Sequence, residues 1–419
     1  MKNMTESQQL LIEQTLSQAE KAMKQGNTAI ALQFFNTVLQ HQPNHPVAIK
    51  GLRKLQQETT HNSSVQVEIV DPSPDQINAL VNLYYTGQMV QTEQACKGLL
   101  QTYPQSLVVI NLLGASLQGQ GKLQEAVESF DKVIELKPDY AAAYNNRGTV
   151  LKELGQLEKA VENYNQAIQF QSDYTDAYYN RGIVLQELEQ LVEALESFNR
   201  AIQLKPDYIE AYYNRGNVLK ELGQLEEAVE SYNQAIQLQP DYAEAYNNRG
   251  NVLKELGQLE EAAASYNRAI QLKPDYVSAY NNRGNVLKDL GQLEEAVGSY
   301  NKVIQLKPNY AEAYSNLGGV LKELGQIAEA VEKYDLAIQF KPDYAVAYYN
   351  RGVALQELGQ LVETVKSYDK AILFKPDYME AYYNRGIVFQ SIGQLAEAME
   401  SYALAIQLKP DYIAARWNL

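Results

Sequence analysis

The side chains with the clearest capacity for specific hydrogen bonding are asparagines that recur every 34 residues. Each carboxamide both donates and accepts hydrogen bonds, so a regular column of them could hold the backbone of an extended peptide with little regard for its side chains. Tyrosine, which offers a large contact area with few rotatable bonds, directly precedes four of them. The candidate peptide-binding residues are Asn146, Asn180, Asn214, Asn248, Asn282, Asn316, Asn350, Asn384, Tyr179, Tyr213, Tyr349 and Tyr383.

Other candidate chemistry is weak. His41 and His45 lack a third metal ligand, and the single cysteine, Cys96, excludes a multi-cysteine metal site. The stretch 119–122 contains Gly-Gln-Gly-Lys, but it lacks the first glycine of a phosphate loop and the Ser or Thr that should follow the lysine. No nucleophile is paired with a base. We therefore predict no catalytic, cofactor or metal site, and no enzymatic activity for these residues.

The composition limits the class of partner. The chain has 419 residues with 36 Lys+Arg and 51 Asp+Glu, a formal net charge of −15. An acidic surface argues against nucleic acid as a partner, because phosphate binding needs positive charge. The first ten residues are polar, and no apolar run approaches the ~18 residues of a membrane span. We predict a cytoplasmic protein without membrane insertion.

A 34-residue repeat organises the chain. Ten units, which start at residue 73 and then at every thirty-fourth residue up to 379, fill residues 73–412 without insertion or deletion. In the unit at 209–242, apolar residues recur at helical spacings in two stretches, which Gly223 divides and Pro240 ends. Asp241 followed by Glu244 predicts a capping box for the next helix. Each unit is thus a pair of short helices, which must stack on its neighbours to be stable.

This pattern resembles the tetratricopeptide repeat, which has a bulky residue at position 4, Gly or Ala at 8, Ala at 20, an aromatic residue at 24, Ala at 27 and Pro at 32. Glu189, Thr364 and Ser172 depart from the pattern at the turn glycine, position 20 and position 32. The resemblance implies an all-α fold, a right-handed superhelical solenoid of stacked helix–turn–helix units. In the unit at 209–242 the matching residues are Tyr212, Gly216, Ala228, Tyr232, Ala235 and Pro240.

The resemblance also implies where a ligand binds. In this family the first helices line a concave groove through positions 2, 5, 6, 9, 12 and 13, so the asparagine column, at position 6, and the four tyrosines, at position 5, would face it. The chain is similar here to the repeat half of bacterial O-linked N-acetylglucosamine transferase-like proteins. Alternatively, the asparagines serve the first helix locally. Arginine at position 7 forms either an ion pair between repeats or a contact to an acidic ligand.

The repeat frame divides the chain into four segments. Residues 1–57 are predicted to form an N-terminal helical unit with one degenerate hairpin of the same kind, and residues 58–74 a polar linker. Residues 75–412 form the solenoid of ten units, and residues 413–419 begin a truncated further unit.

The leading functional hypothesis is a protein-interaction scaffold that binds proteins or extended peptides in the groove. Because the sequence stops inside a first helix, an alternative is the N-terminal, substrate-recruiting part of a larger glycosyltransferase or sulfotransferase. A second alternative is a self-assembling array, with head-to-tail association through the open ends of the solenoid.

Overall fold

The computed structural model describes residues 71–413 without interruption and, outside that range, residues 12, 15–19, 21–23, 28–42, 45–52, 54 and 415. All regular secondary structure among these residues is α-helical. The predicted linker up to residue 70, and most of residues 413–419, lie outside the described part of the chain.

Two helices alternate along the repeats, as the sequence predicts. The helix Thr28–His41 precedes them, and the described residues 15–19, 21–23 and 46–52 are also helical. The first helices are Pro74–Tyr85, Leu107–Gly119, Ala141–Glu153, Thr175–Glu187, Ile209–Glu221, Ala243–Glu255, Val277–Asp289, Ala311–Glu323, Ala345–Glu357 and Met379–Ser391. The second helices are Met89–Thr102, Leu123–Leu136, Leu157–Phe170, Leu191–Leu204, Leu225–Leu238, Leu259–Leu272, Leu293–Leu306, Ile327–Phe340, Leu361–Phe374 and Leu395–Leu408.

The chain divides into two compact units. The first comprises Met1–Asn82 and Gln94–Val109, and the second comprises Leu83–Glu93 and Ile110–Leu419. Within the first, Phe35 is buried and its ring lies against Gly51. Cys96 is also buried, and burial raises the pKa of its thiol to about 12, so the thiol stays protonated and unreactive.

Within the second of these two compact parts of the chain, each pair of helices is held together by a glycine that faces an aromatic ring. Gly216, at position 8, lies so close to Tyr232, at position 24, that a Cβ atom would stand 2.7 Å from ring atom Cε1. The Tyr232 side chain is fully buried. The same contact recurs in the other regular units, with Tyr or Phe at position 24. A mid-helix glycine, which is otherwise unfavourable, is therefore required by the close approach.

No repeat completes its hydrophobic core alone. Leu219, Ala228 and Tyr232 form one cluster with Val252, which belongs to the following unit. Leu195, from the preceding unit, packs against the same cluster. Each unit thus contributes to the core of its neighbours, which is the arrangement expected of a solenoid. The predicted all-α stack of 34-residue helix pairs is confirmed.

The turns between the paired helices use a left-handed residue. Glycine occupies this place in nine units with φ between 72° and 79°. In the unit at 175–208 the residue is Glu189, which adopts φ 59°. The predicted capping box is wrong, because the helix at Ala243–Glu255 begins after Tyr242 and has no side-chain cap.

The first helices also contact one another. Each first helix from Ala141–Glu153 to Ala311–Glu323 touches the first helix of the next unit as well as its own second helix. The first helices therefore form a continuous surface. The residues at positions 2, 5, 6, 9, 12 and 13 of the first helices define this surface. We call it the ladder face, after the row of hydrogen-bonded asparagines that it carries.

We expect Gly216→Ala to destabilise the chain despite the better helix propensity of alanine. The new methyl group would overlap the Tyr232 ring, and overpacking of this kind costs about 1–3 kcal/mol. Gly298→Ala is the matched control, because nothing lies within 4 Å of a Cβ atom there. The control should raise the free energy of unfolding by up to ~1 kcal/mol. Chemical denaturation measures both, and equal effects would refute the close-approach explanation.

We expect Glu189→Gly to stabilise the chain. A left-handed conformation costs a residue with a side chain roughly 1–2 kcal/mol, part of which is offset by the greater flexibility of glycine in the unfolded state. A net gain of about 0.5–1 kcal/mol in the free energy of unfolding should follow. Gly223→Glu introduces the reverse change in the next unit and should destabilise by a similar amount. Denaturation midpoints that do not move in opposite directions would contradict this prediction.

Candidate functional site

The eight asparagines of the candidate site lie on successive first helices, one in each unit. All eight residues are half-buried. The four candidate tyrosines are half-buried too. The structure thus places the twelve residues on one face, the ladder face.

Seven of the eight asparagine carboxamides, all except that of Asn350, donate a hydrogen bond to the preceding unit. Nδ2 of Asn214 donates to the Tyr179 hydroxyl at 3.0 Å, and Nδ2 of Asn384 donates to the Tyr349 hydroxyl at the same distance. Where position 5 is an asparagine, its Oδ1 is the acceptor. Nδ2 of Asn180, for example, donates to Oδ1 of Asn145 at 3.1 Å. The column is therefore a ladder that links position 6 of one unit to position 5 of the unit before it.

A second set of bonds joins the ladder to position 9. Nδ2 of Asn248 also donates to Oδ1 of Asn217 at 3.1 Å, and Nδ2 of Asn282 donates to Oδ1 of Asn251 at 2.9 Å. The same Asn217 oxygen accepts from the Tyr232 hydroxyl at 2.7 Å. The ladder is thereby tied to the buried ring at position 24.

The position-5 tyrosines pack within their own units. The Tyr213 ring lies 5.0 Å from the Tyr242 ring, centroid to centroid, and 6.0 Å from that of Tyr232. Tyr179, Tyr349 and Tyr383 make the equivalent two contacts. Burial is the largest cause that raises the pKa of Tyr213, so its hydroxyl stays protonated at neutral pH. These tyrosines are anchored and present only part of their surface.

Arginine at position 7 clamps adjacent units on the other side of the first helix. Nε of Arg249 donates to Oγ of Ser265 in its own unit at 3.2 Å, and Nη1 donates to Oδ1 of Asn233 in the preceding unit at 2.8 Å. Its guanidinium also stacks over the Tyr246 ring at 5.2 Å. Burial lowers the pKa of Arg249, but a guanidinium remains charged at neutral pH.

The predicted inter-repeat ion pair of these arginines holds for three units. Arg147 pairs with Asp131, Arg351 with Asp335 and Arg385 with Asp369. In Arg181, Arg215, Arg249 and Arg283 the acceptor is instead an asparagine at position 25. Sequence reasoning missed positions 23 and 25, although Ser or Asn recurs there with the same period as the arginine.

The unit at 311–344 breaks this pattern. Leu317 replaces the arginine, and Lys333 replaces the serine or asparagine at position 23. Leu317 is buried and joins a hydrophobic cluster with Tyr300 of the preceding unit and Tyr334 of its own. The clamp is thus replaced here by apolar packing.

Lysines at position 12 and glutamates at position 13 form ion pairs between units on the ladder face. Lys220 pairs with Glu255 of the next unit at 3.2 Å, and Lys152 pairs with Glu187 at 3.0 Å. These side chains are between 33% and 47% exposed, so solvent screens each pair and it stabilises little. Among residues 71–413 and the other described positions, no group of three or more His, Cys, Asp or Glu side chains is placed to hold a metal ion. No described helix is both long and apolar enough to cross a bilayer.

Comparison with known families matches most of the chain. A family model described as TPR repeat matches residues 119–155, 149–189, 184–223, 216–257, 250–291, 284–325, 320–359 and 355–393. A second, described as Tetratricopeptide repeat, matches residues 380–412. No curated protein sequence matches the chain.

Solved structures with similar helical repeats cover about half of the chain. YrrB, a TPR protein with an unusual peptide-binding site, is 26% identical over 45% of this chain and 97% of its own, with a TM-score of 0.39. Part of a TPR repeat-containing protein from Cytophaga hutchinsonii is 17% identical over 57% of this chain and 99% of its own, with a TM-score of 0.49. A tetratricopeptide repeat protein from Parabacteroides merdae is 21% identical over 59% and 98%, with a TM-score of 0.42.

We expect Arg249→Lys to lower the free energy of unfolding by about 1–2 kcal/mol. A lysine ammonium cannot bond Ser265 and Asn233 in the same planar geometry or stack as well on Tyr246. Arg268→Lys is the matched control, because Arg268 is exposed and bonds only Gln271 on its own helix. The control should stay within about 0.5 kcal/mol of the parent. Equal unfolding curves for the two variants would show that the clamp adds nothing.

Proposed function

Because the chain belongs to the tetratricopeptide repeat family, we propose that it is a protein-interaction scaffold whose ladder face binds extended segments of other proteins. The observation that supports this most directly is the asparagine ladder. It presents one half-buried asparagine per unit along a single face of the described solenoid. A periodic row of polar groups suits a ligand that is itself periodic, and an extended peptide backbone is such a ligand.

The ladder bonds orient the carboxamides before a ligand arrives. In Asn214, Asn282 and Asn316 the Nδ2 atom is occupied, while Oδ1 accepts no hydrogen bond from any described residue. We propose that these oxygens accept hydrogen bonds from backbone N–H groups of the ligand. Because the side chains are already held in place, binding loses less conformational entropy than with free asparagines.

The tyrosines would contribute contact area rather than hydroxyl chemistry. The hydroxyls of Tyr179, Tyr213 and Tyr349 are occupied by asparagines of the next unit, so the exposed part of the rings meets the ligand. We propose that Tyr179, Tyr213, Tyr349 and Tyr383 favour peptide segments with apolar or aromatic side chains at the two ends of the site.

The charge of the ladder face favours neutral or basic segments. Acidic residues occupy position 2 in five units. Burial raises the pKa of Tyr276 to about 12, and the charge of Glu244 is the second cause of this rise. The electrostatic potential near the tyrosines is therefore negative. Attraction of basic segments by exposed charges should weaken with salt. The position-2 acids are Asp176, Glu210, Glu244, Glu312 and Glu380.

The two alternatives from the sequence have less support. Self-association would use the apolar face of the helix Leu395–Leu408, where Leu395 is 61% and Met399 52% exposed. The corresponding residues of internal units, such as Leu259, pack against the core. Recruitment of substrates to a glycosyltransferase or sulfotransferase stays a prediction.

We expect the fourfold variant Asn214→Ala, Asn248→Ala, Asn282→Ala, Asn316→Ala to lose peptide affinity. Binders are first selected with the native chain from a phage library of random dodecapeptides, and their Kd is then measured by calorimetry. Loss of four carboxamides should weaken binding by at least about tenfold, given a net ~0.5–1.5 kcal/mol per hydrogen bond.

The matched control replaces four asparagines of the second helices, Asn199, Asn233, Asn267 and Asn301, which lie at position 25 of the same region. Both variants lose inter-unit or clamp bonds, so circular dichroism must first show unchanged helicity. The control should keep Kd within about twofold of the native value. Selection of no binders, or equal affinity in the two variants, would overturn the proposal.

A further inference from the structure

The buried tyrosine hydroxyls at position 24 are satisfied in a consistent way. In the three middle units the hydroxyl donates to the asparagine at position 9, from Tyr232 to Asn217 at 2.7 Å, from Tyr266 to Asn251 at 2.9 Å and from Tyr300 to Asn285 at 2.7 Å. Where position 9 is apolar, a glutamine at position 12 accepts instead, from Tyr368 to Gln356 at 3.0 Å and from Tyr402 to Gln390 at 2.8 Å. The chain thus supplies one of two acceptors in these five units.

Tyr334 has neither acceptor. Position 9 of its unit is Gly319, and position 12 is Lys322, whose ammonium lies 3.5 Å from Glu357. Tyr334 is only 1% exposed, and its hydroxyl forms no hydrogen bond with any described residue. No fully buried side-chain N or O atom of the described residues lacks a partner, so this hydroxyl is the part of Tyr334 that reaches solvent. A Cβ atom on Gly319 would have a single neighbour within 4 Å, which is the Tyr334 hydroxyl oxygen at 3.9 Å. The hydroxyl is therefore directed at open space above Gly319.

Packing does not explain the glycine at this place. The preceding Gly318 is the residue that faces the ring, because its Cβ atom would stand 2.8 Å from ring atom Cε1 of Tyr334. Gly319 has no such close neighbour. Glycine is one of the least favourable residues inside a helix, so a second glycine costs stability without relieving any overlap.

Asn350 lacks the ladder bonds of its counterparts. Asn248, Asn282 and Asn316 donate to position 9 of the preceding unit at 3.1, 2.9 and 3.4 Å. For Asn350 that position is Gly319, which has no side chain. Position 5 is Ser315. Burial raises the pKa of Tyr344, and the nearby Ser315 hydroxyl offsets part of this rise. Within the described part of the chain, the side chain of Asn350 makes no hydrogen bond.

We propose that Gly319, Tyr334 and Asn350 form a pocket, the Gly319 notch, that binds the carboxamide of an asparagine or glutamine side chain in a ligand. In the unit at 209–242 one oxygen, Oδ1 of Asn217, accepts from both Tyr232 and Asn248. The corresponding donors at the notch are Tyr334 and Asn350, and the acceptor is missing. A ligand carboxamide would take its place. The inference rests on the proposed binding of extended segments to the ladder face.

Burial and nearby charge favour a neutral group at the notch. Both donors, a hydroxyl and an amide N–H, require an acceptor oxygen. Burial is the largest cause that raises the pKa of Tyr334, and the charges of Glu323 and Glu357 raise it further. Each of these carboxylates pairs with a lysine ammonium, at 3.2 Å for Glu323 and 3.5 Å for Glu357, which offsets part of its charge. The same two causes, burial and the remaining negative charge, disfavour a carboxylate there. A carboxamide is uncharged, and its own N–H can donate to Oδ1 of Asn350.

The test uses the native chain, Gly319→Asn and Gly319→Val, each as bait for the phage library of random dodecapeptides. Asn supplies the missing acceptor from the chain itself, whereas Val fills the space without one, as Val353 does at position 9 of the next unit. Peptides selected on the native chain should carry Asn or Gln at one aligned position. Replacement of that residue by Glu or Leu in a synthetic peptide should raise Kd about tenfold for the native chain. Neither filled variant should show the preference.

Selected peptides without a carboxamide preference, or with the same preference on Gly319→Asn, would overturn the notch and leave the groove function intact. Selection of no peptide at all would overturn both.

Thermal unfolding gives a readout that needs no ligand. Because Asn and Val have similar helix propensities, Gly319→Asn should unfold about 1–3 °C above Gly319→Val. This difference should vanish when Tyr334→Phe is added to both variants. If the two variants unfold at the same temperature with Tyr334 present, the Tyr334 and Asn350 donors do not reach a side chain at position 9.

Discussion

The contact between a glycine and an aromatic ring determines much else in this molecule. Because position 8 has no Cβ atom, the two helices of a unit approach until the position-24 ring lies on the backbone of the first helix. The ring then crosses the core, and its hydroxyl emerges beside position 9, on the ladder face. A buried packing contact is thereby coupled to the polar surface. A tyrosine at position 24 brings a hydroxyl that needs a partner in this place, and phenylalanine does not.

Sequence variation within the chain follows this coupling. The two regular units with phenylalanine, Phe130 and Phe198, carry the apolar Ala115 and Ile183 at position 9. Tyr164, by contrast, faces Thr149, whose hydroxyl lies 3.4 Å from its own. A polar residue at position 9 thus accompanies four of the seven position-24 tyrosines, which are Tyr164, Tyr232, Tyr266 and Tyr300. Against this regularity, the isolated hydroxyl above Gly319 is a deviation that packing does not require.

The period of the sequence was sufficient to predict the helices but not the bonds between them. A 34-residue spacing places one asparagine in each unit, whereas the bonds join residues 35 or 31 apart, such as Asn248 to Tyr213 and to Asn217. Those offsets depend on the rotation between units, which spacing alone does not contain. The spacing also does not show that the ring of Tyr242 packs against Tyr213. For Arg249 a bond between repeats was predicted only as an ion pair. Its acceptor, Asn233, carries no charge that would identify it as a partner in the sequence.

The short reach of these bonds has a consequence for how the protein forms. The described side-chain hydrogen bonds between neighbouring units join residues at most 35 apart, as in Asn214 to Tyr179. A chain whose native pairs are all so near in sequence has a low relative contact order, and little loop-closure entropy is lost before each pair can form. During synthesis, a repeat could therefore dock on its predecessor as soon as it has left the ribosome, so that the array assembles from its N-terminal side without waiting for distant segments.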